Sequence, residues 1–283
     1  MSRVCAVIVT YNPDSSLREN VPHVIHQVDQ VLIVDNGSSG ESLAIVREVE
    51  AFVKTKVIYS AENLGIAAAL NIGVREAQTA GFDWVLTLDQ DSCPGEGMVA
   101  KMLAAYEARP RPECVGLICP RVVERRLAAA DLPRPELKTR EIKLAITSGS
   151  LVPTKICAKV GFFDERLFIY YVDHDLCFRL AAAGYCLLEV GDAVLEHDTG
   201  EMSRHSFAGI GFYTTNYNPK KWYYISRNRV VLYRRYGLQQ GAWIVDDVFR
   251  FFKELAKLAI AEREKKVKLG QIMKGLADAL KDF

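Results

Sequence analysis

The chain has 283 residues, of which 49% are hydrophobic and 25% are charged, a composition typical of a globular protein with a buried core. Its 36 Lys and Arg nearly balance its 35 Asp and Glu, which argues against a globally basic nucleic-acid binder and against an acidic tail protein. No apolar run approaches the roughly 18 to 20 residues that span a bilayer, and the first ten residues have the pattern of a strand rather than of a signal peptide.

Four short, β-branched apolar runs near the start of the chain predict strands that are buried on both faces. The segments between them have helical patterns, and Asn63 and Gly81 are expected to begin and end the third helix. This alternation predicts an α/β fold with a mostly parallel central sheet flanked by helices. The predicted strands are 4–9, 31–34, 56–59 and 84–88, and the predicted helices are 14–27, 41–52 and 65–81.

The pattern is mixed in the second part of the chain. A helix with an acidic first turn is expected just after a run of aromatic residues, with Gly184 as its terminator. The remaining predicted elements are helices at 95–108 and 173–183, strands at 115–118 and 144–152 (the latter with a glycine kink), an exposed loop at 124–140, and a helical tail at 242–283.

The seven cysteines include no Cys-x-x-Cys pair, and their neighbours are mostly apolar. This pattern predicts reduced, largely buried thiols in a cytosolic protein rather than a disulfide framework. Their spacing also argues against a structural zinc site.

Polar and acidic residues stand at the carboxyl ends of the first four predicted strands, the edge at which parallel sheets bind ligands. Asp89 and Asp91 alternate, so their carboxylates point the same way in an extended chain. Two such oxygens suit Mg²⁺ or Mn²⁺ bridging to substrate phosphates. An Asp-x-Asp triplet alone is a weak signal, because acidic turns are common.

Several motifs together resemble glycosyltransferase family 2, whose members have the inverting GT-A fold. The donor half of that family is matched in order and spacing by Val-Thr-Tyr-Asn at 9–12, Val-Asp-Asn-Gly-Ser at 34–38, Asn-Leu-Gly at 63–65 and Asp-Gln-Asp at 89–91. Segment 168–179 is similar to the acceptor-side motif, usually Glu-Asp-x-Asp-Leu with a later Arg, although Val172 stands where Glu is common. Segment 223–229 resembles the Arg-Asn element of the bacterial rhamnosyltransferase branch.

The resemblance implies a Rossmann-like GT-A domain over 1–240, with a donor half at 1–92 and an acceptor half at 93–240, followed by a helical extension at 241–283. It implies that Asp173 deprotonates the acceptor hydroxyl and that Asp91 and His197 hold the metal. The donor nucleotide would be bound by Thr10, Tyr11, Asn12, Asp35, Asn63, Gly65, Asn71 and Asp89, with Asp89 near the ribose. The acceptor or the diphosphate would be bound by Ser148, Gly149, Asp175, Arg179, Arg227 and Asn228.

The implied function is inverting transfer of a sugar, expected to be L-rhamnose from dTDP-L-rhamnose, to a hydroxyl of a glycan or lipid-linked acceptor in cell-envelope polysaccharide synthesis, such as that of O-antigen. UDP-hexose and UDP-galactofuranose remain open as donors. Two alternatives come from other classes: a haloacid dehalogenase-like phosphatase that uses Asp89 and Asp91, and a non-catalytic module that binds sugar nucleotides. A nucleotidyltransferase would want a glycine-rich, basic loop after the first strand, and Thr-Tyr-Asn-Pro stands there instead.

Residues 202–245 contain seven Lys or Arg, no Asp or Glu, and many aromatic side chains. Together with the apolar face of the following helix, this stretch fits peripheral contact with the inner face of the cell membrane. It also fits packing on the catalytic domain or a homodimer through the C-terminal helices. A cytoplasmic location is expected, and no nucleic acid is expected as a partner.

Overall fold

The computed structural model describes residues 2–124, 138–197, 202–207 and 210–281. The chain divides into two compact units, Met1–Asp198 and Thr199–Phe283. This boundary differs from the predicted division at 240/241, which concerns function and stays a prediction. Most of the loop predicted at 124–140 lies outside the described residues.

The first unit alternates strands and helices as the sequence predicts. Its first, second and fourth strands are buried on both faces, but the third is a sheet edge in which only Val57 is buried, so the prediction of burial is wrong there. Its first half comprises β1 (Val4–Thr10), α1 (Ser16–Ile25), β2 (Gln30–Asp35), α2 (Gly40–Glu50), β3 (Thr55–Tyr59), α3 (Ile66–Thr79) and β4 (Trp84–Asp89). Its second half comprises β5 (Cys93–Pro94), α4 (Met98–Glu107), β6 (Val115–Glu124), β7 (Thr139–Ile142), β8 (Ser150–Pro153), α5 (Thr154–Lys159), α6 (Val172–Ala182) and β9 (Cys186–His197).

These strands form one sheet in the order β3-β2-β1-β4-β8-β6-β9-β5, with β7 paired to β9. Strands β1 to β4 are parallel, as is the long ladder between β6 and β9. Buried aliphatic side chains of the sheet pack against α1, α2 and α4 and make one continuous core. The predicted GT-A architecture, with a mostly parallel sheet and flanking helices, is confirmed.

The predicted strand at 144–152 is wrong in its first part, since β8 begins only at Ser150. Gly149 has a φ of +82°, and the Ser150 N–H donates to the Thr147 carbonyl, which closes a turn. The predicted cap of α3 also differs. Gly65 precedes the helix with a φ of +87°, and the Asn63 side chain accepts from the Gly65 N–H instead of from the helix.

The second unit begins with the antiparallel pair β10 (Ser203–Phe207) and β11 (Ile210–Thr214). Helices α7 (Pro219–Tyr236), α8 (Gly241–Ala261) and α9 (Lys265–Asp278) follow. The Asn218 side chain caps α7 by accepting from the Lys221 N–H. The helical tail is therefore two helices, which separate at Glu264, where φ is +53°. No helix within the described residues is long and apolar enough to cross a bilayer.

A small core holds these three helices together. Trp222 of α7, Leu258 of α8 and Ile272 of α9 are buried in one cluster. Arg229 and Asp247 form a buried ion pair between α7 and α8, with 2.6 Å from Nε to Oδ2. The Tyr233 hydroxyl donates to the same Asp247 oxygen.

Candidate active site

The carboxyl ends of β1 and β2 meet at a buried carboxylate. Thr10 and Asp35 are register partners, and the Thr10 hydroxyl donates to Asp35 Oδ1 at 3.0 Å. The Ser38 hydroxyl donates to the same oxygen at 2.5 Å, and its backbone N–H donates to Oδ2 at 3.0 Å. These bonds fix the carboxylate and compensate it for its burial.

A cavity of about 470 Å³ lies beside this carboxylate, lined by the end of β2, by α2 and by the end of β3. Its walls include Asp35, Ser38, Arg47 and Tyr59. A volume of this size falls within the roughly 300–1,000 Å³ of ordinary ligand pockets. The edge of the sheet at β2 thus has room for a planar ring and a hydrogen-bonding carboxylate beside it.

The predicted donor residues after β1 and β3 lie in loops held by side-chain amides. The Tyr11 N–H donates to Gln90 Oε1 at 2.8 Å, which links the end of β1 to the end of β4. Asn63 accepts from the amide of Asn36, and Asn36 accepts from the Leu64 N–H. Asn12 donates its N–H to the Ser38 hydroxyl. The structure therefore brings Tyr11, Asn12 and Asn63 into one loop cluster with the strand ends.

Asp89, Asp91 and His197 form a cluster whose candidate ligand atoms all lie within 4.8 Å of one another. His197 Nδ1 lies 3.2 Å from Asp91 Oδ1, and its Nε2 lies 3.9 Å from Asp89 Oδ2. Asp89, which was expected near the ribose, therefore belongs to the same cluster as the two predicted metal ligands, Asp91 and His197.

The cluster depends on the short strand β5, which pairs with the end of β9 directly before His197. The Ser92 hydroxyl, next to β5, lies 3.0 Å from His197 Nδ1 and 2.6 Å from the Ser148 hydroxyl. Ser148 in turn accepts from the Asp89 N–H at 3.1 Å. A chain of hydroxyls therefore links the histidine to the acidic strand end.

Electrostatics favour a cation at this cluster. Burial alone would lower the pKa of His197, but its hydrogen bond with Asp91 and the charges of Asp89, Asp91 and Glu124 raise that pKa above its ordinary value. Two carboxylates and an imidazole within this distance are a donor set that fits a divalent metal ion, and carboxylate oxygens suit Mg²⁺ and Mn²⁺.

Asp173 stands in the first turn of α6, and its carboxylate is partly buried. Its Oδ1 accepts from the His174 N–H and lies 2.8 Å from His174 Nδ1. Burial alone would raise the pKa of Asp173, but the charge and hydrogen bonds of His174 lower that pKa below its ordinary value. Asp173 also lines a small depression with Thr87 and Thr147, next to the turn that carries Ser148.

The chain that leads into α6 has an unusual backbone. Phe168, Tyr170 and Tyr171 all have φ between 61° and 67°, a region that non-glycine residues rarely adopt. Phe168 lies against Gly65, and the Ala67 N–H of α3 approaches the Phe168 carbonyl at 3.4 Å. The Asn-Leu-Gly loop and the turn before Asp173 are therefore in contact.

Other predicted site residues are occupied by contacts within the protein. Asp175 is buried and pairs with Arg179, whose other nitrogen donates to the Val160 carbonyl. The Asn71 side chain bonds the backbone of Phe163. Their assignment to substrate binding stays a prediction.

The remaining predicted residues lie in a turn and in the second unit. Gly149 sits in the turn before β8 and donates its N–H to the Thr87 carbonyl. Arg227 and Asn228 belong to α7, where Asn228 is buried and accepts from Arg227 at 3.4 Å.

Sequence reasoning missed two groups at this site. No role was predicted for His174, yet it contacts the predicted base directly. No sequence pattern pointed to Ser92, because the residues it contacts, Ser148 and His197, are distant in sequence. The position of His174 within the acceptor-side motif was the one available clue.

Comparisons with known proteins agree with this geometry. The model of the family described as "Glycosyl transferase family 2" matches residues 5–163, more than half of the chain. The chain is 28% identical over 246 residues to the dTDP-rhamnosyl transferase RfbF of Shigella flexneri, covering 83% of this chain and 81% of that protein. It is 29% identical over 258 residues to the galactofuranosyltransferase GlfT1 of Mycobacterium tuberculosis, covering 84% of each. It is 26% identical to an N-acetylglucosaminyl-diphospho-decaprenol L-rhamnosyltransferase of the same species, covering 70% of this chain and 77% of that protein.

Two solved structures share the fold at low sequence identity. S. aureus TarS 1-349 in complex with UDP-GlcNAc superposes with a TM-score of 0.64 at 17% identity, covering 99% of this chain and 81% of that chain. The mannosyltransferase PcManGT from Pyrobaculum calidifontis, in complex with GDP-Man and Mn²⁺, superposes with a TM-score of 0.57 at 19% identity, covering 99% of this chain and 76% of that chain. Both of these proteins were therefore solved with a nucleotide sugar, and the second also with Mn²⁺.

Proposed function

The chain belongs to glycosyl transferase family 2 and is a glycosyltransferase, and from this premise we propose that it transfers L-rhamnose from dTDP-L-rhamnose to an acceptor hydroxyl with inversion at the anomeric carbon. The observation that carries the proposal is the edge of the sheet. The first unit combines three features: a buried carboxylate beside a ligand-sized cavity, an Asp-Asp-His cluster, and the carboxylate of Asp173, which His174 holds.

The nucleoside is proposed to bind at the end of β2. Asp35 is held by Thr10 and Ser38 in one orientation, so its carboxylate can accept from the N–H of a pyrimidine ring at little cost in conformational entropy. The cavity beside it accommodates the ring. Gly65 and Asn63 would lie against the nucleoside from the neighbouring loop, where glycine permits close approach of the backbone.

Asp89, Asp91 and His197 would hold the divalent cation, and Mg²⁺ or Mn²⁺ there would neutralise charge on the departing nucleoside diphosphate. Ser92 orients His197 through Nδ1, and Ser148 bonds the backbone of Asp89. Such outer contacts fix the direction of the ligands before any ion arrives.

Asp173 would take the proton of the acceptor hydroxyl as that oxygen attacks the anomeric carbon. Its Oδ1 is tied to His174, and no other residue in the described parts of the chain donates to its Oδ2. The second oxygen is therefore the one that can accept a proton. The lowered pKa of Asp173 keeps the carboxylate ionised at neutral pH.

Rhamnose is favoured over other sugars because two relatives are named as rhamnosyltransferases and because the chain has the Arg227-Asn228 element. Galactofuranose from UDP-galactofuranose is the second candidate, because a galactofuranosyltransferase is similar over the same share of the chain. A thermal-shift screen against dTDP, UDP and GDP, followed by turnover of each sugar nucleotide, separates the two. Stabilisation and turnover with UDP donors alone would contradict the rhamnose proposal.

The test of the mechanism is Asp173→Asn. Turnover should fall by roughly 10²–10⁴ while dTDP binding stays unchanged, since the base touches the acceptor and not the nucleotide. Asp164→Asn is the matched control, because Asp164 caps a short turn nearby through Arg166 and should leave the rate within a few-fold. An active Asp173→Asn enzyme would show that Asp173 is not the base, and binding without turnover by the wild type would favour a non-catalytic module.

The phosphatase alternative has no support. Asp89 and Asp91 follow the fourth strand of the sheet rather than the first, and the family model covers them. These observations favour sugar transfer over hydrolysis by an aspartyl nucleophile.

The acceptor is proposed to be a lipid-linked glycan of a cell-envelope polysaccharide, as the name of one relative includes a diphospho-decaprenol acceptor. With such an acceptor, the enzyme would act in the cytoplasm near the inner face of the membrane. The basic, aromatic stretch 202–245 would give peripheral contact with anionic lipid, since each nearby Lys or Arg contributes about 1 kcal/mol. A homodimer through the C-terminal helices also stays a proposal.

A further inference from the structure

Helix α8 carries a row of apolar side chains that the folded chain leaves exposed. Phe249 and Phe252 are 71% and 63% exposed, and Val245 and Ile260 are also exposed. Two phenylalanines at this exposure are unusual for a single helix, because each leaves a large apolar surface in water. The opposite face of α8 is already used, as it buries Asp247 and Leu258 against its own unit.

The row has the spacing of a helix-pairing seam. Ala242, Val245, Phe249, Phe252, Ala256 and Ala259 follow one another at intervals of three, four, three, four and three residues. This is the a/d repeat of a two-helix coiled coil, and the part from Val245 to Ile260 is roughly 22 Å long. The seam lies on one uninterrupted helix, and its six residues are all exposed.

The charges beside the seam favour protein over lipid. Asp246 is 68% exposed and borders the apolar row, where a carboxylate would repel an anionic headgroup. Arg250 is paired with Asp246, and Lys257 is paired with Glu254, so two of the three basic side chains between 246 and 257 are compensated within the helix. A lipid-binding helix is expected to show the opposite, with a strongly basic polar face.

The same flank is complementary to itself. Asp246 and Lys253 are seven residues apart and therefore occupy equivalent positions beside the seam. When two copies of α8 run antiparallel with Phe249 facing Phe252 of the other copy, each Asp246 comes within reach of Lys253 of the other copy. That register also sets Val245 opposite the small Ala256, so large and small side chains alternate.

We propose that α8 pairs antiparallel with α8 of a second copy of this chain, through Val245, Phe249, Phe252 and Ala256, with two Asp246–Lys253 ion pairs across the twofold axis. An isologous contact of this kind closes on itself and gives a dimer rather than a filament. The proposal concerns the second unit alone and does not depend on which sugar the enzyme transfers.

Sedimentation velocity of the full chain over a range of concentrations tests it. The wild type should be a dimer that dissociates on dilution, and Phe249→Glu should weaken the dimer roughly 30-fold or more, as expected for a central aromatic residue. Leu238→Glu is the matched control, because Leu238 is fully exposed but lies outside α8. A circular dichroism spectrum equal to that of the wild type excludes unfolding as the cause.

Charge exchange tests the orientation. Asp246→Lys alone and Lys253→Asp alone should each weaken the dimer, and the double exchange should restore it. A wild type that stays monomeric at every concentration would overturn the proposal, as would a dimer that Phe249→Glu leaves intact. Flotation of the monomer with anionic vesicles that is lost in Phe249→Glu would assign the seam to lipid instead.

Discussion

Both contacts that His174 makes with Asp173 converge on one oxygen, since the His174 backbone N–H and the ring Nδ1 each lie 2.8 Å from Asp173 Oδ1. A carboxylate only accepts, so Nδ1 must carry a proton in this arrangement. A tilted contact with the Tyr171 ring and an edge-on contact with the Phe178 ring hold the His174 ring in place. The pair engages one oxygen of Asp173 and fixes the direction in which the carboxylate points.

Replacing His174 should change the pH dependence of the reaction. In His174→Leu, burial is no longer opposed by the histidine, so the pKa of Asp173 rises and a larger fraction of the base is protonated at low pH. The acid limb of kcat/KM should therefore move to higher pH, so the rate at acidic pH falls relative to the rate at pH 8. His174→Asn, whose amide can still donate to Oδ1, should show a smaller shift. The exposed His26 supplies the control variant His26→Leu, and superposable pH profiles for all variants would contradict the pairing.

Removal of the metal ion, or of a side chain that binds it, should weaken binding of the donor nucleotide. We expect excess chelator to stop turnover and added Mn²⁺ or Mg²⁺ to restore it. In a thermal-shift titration with dTDP and Mn²⁺, Asp91→Asn and His197→Gln should each weaken the effect of the metal at least tenfold, because each removes a ligand atom. Ser92→Ala should have a smaller effect in the same direction, since Ser92 only orients His197. Full activity in excess chelator would contradict the metal assignment.

Gly65→Ala should destabilise the first unit and slow the reaction. A Cβ at this position would lie 2.6 Å from the Phe168 ring, and φ of +87° is strained for alanine, which costs about 1–3 kcal/mol before the clash is counted. Gly184→Ala isolates the backbone contribution, because Gly184 has φ of +84° and open space around it. Urea unfolding of both variants gives the difference. Equal losses of stability would mean that Phe168 moves aside freely.

Asp247→Ala should lower the free energy of unfolding of the second unit by about 3–5 kcal/mol, because it leaves the buried Arg229 without its counter-charge. The neighbouring Asp246→Ala, at an exposed position, should change stability by less than about 0.5 kcal/mol. Both are measured at a protein concentration low enough to keep the chain monomeric. Similar values for the two variants would show that the ion pair contributes no more than a surface pair.

The first four strands and their helices could be predicted from the sequence because their signals are local. Runs such as that of β1 are apolar at every position, and a strand buried on both faces needs nothing else to identify it. The rule that parallel sheets bind ligands at the carboxyl ends of their strands then predicts Asp35 and Asp89 at one edge of the sheet. The start of β8 was harder to predict, because it is set by the turn at Gly149.

The contacts around the candidate site could not be predicted in the same way. The pairing of β5 with β9 brings together Ser92, Ser148 and His197. No local sequence pattern predicts a pairing between such distant segments. His174 was visible in its motif, but its direction depends on the left-handed backbone at Tyr171. Helix α7 also escaped notice, because its interleaved basic and aromatic residues lack a clean apolar stripe.

The two residues of β5 have a consequence for the order of folding. Asp91 and His197 can approach each other only after β9 has joined β6 and its end has met Cys93 and Pro94. Bringing Asp91 and His197 together closes a loop of roughly 100 residues. This closure is entropically costly, so we expect it to occur late in folding. A chain arrested before β9 docks would have the ends of β1 and β2 in place without a complete Asp-Asp-His cluster. If that cluster holds the proposed cation, cation affinity should appear during refolding only after β9 has docked.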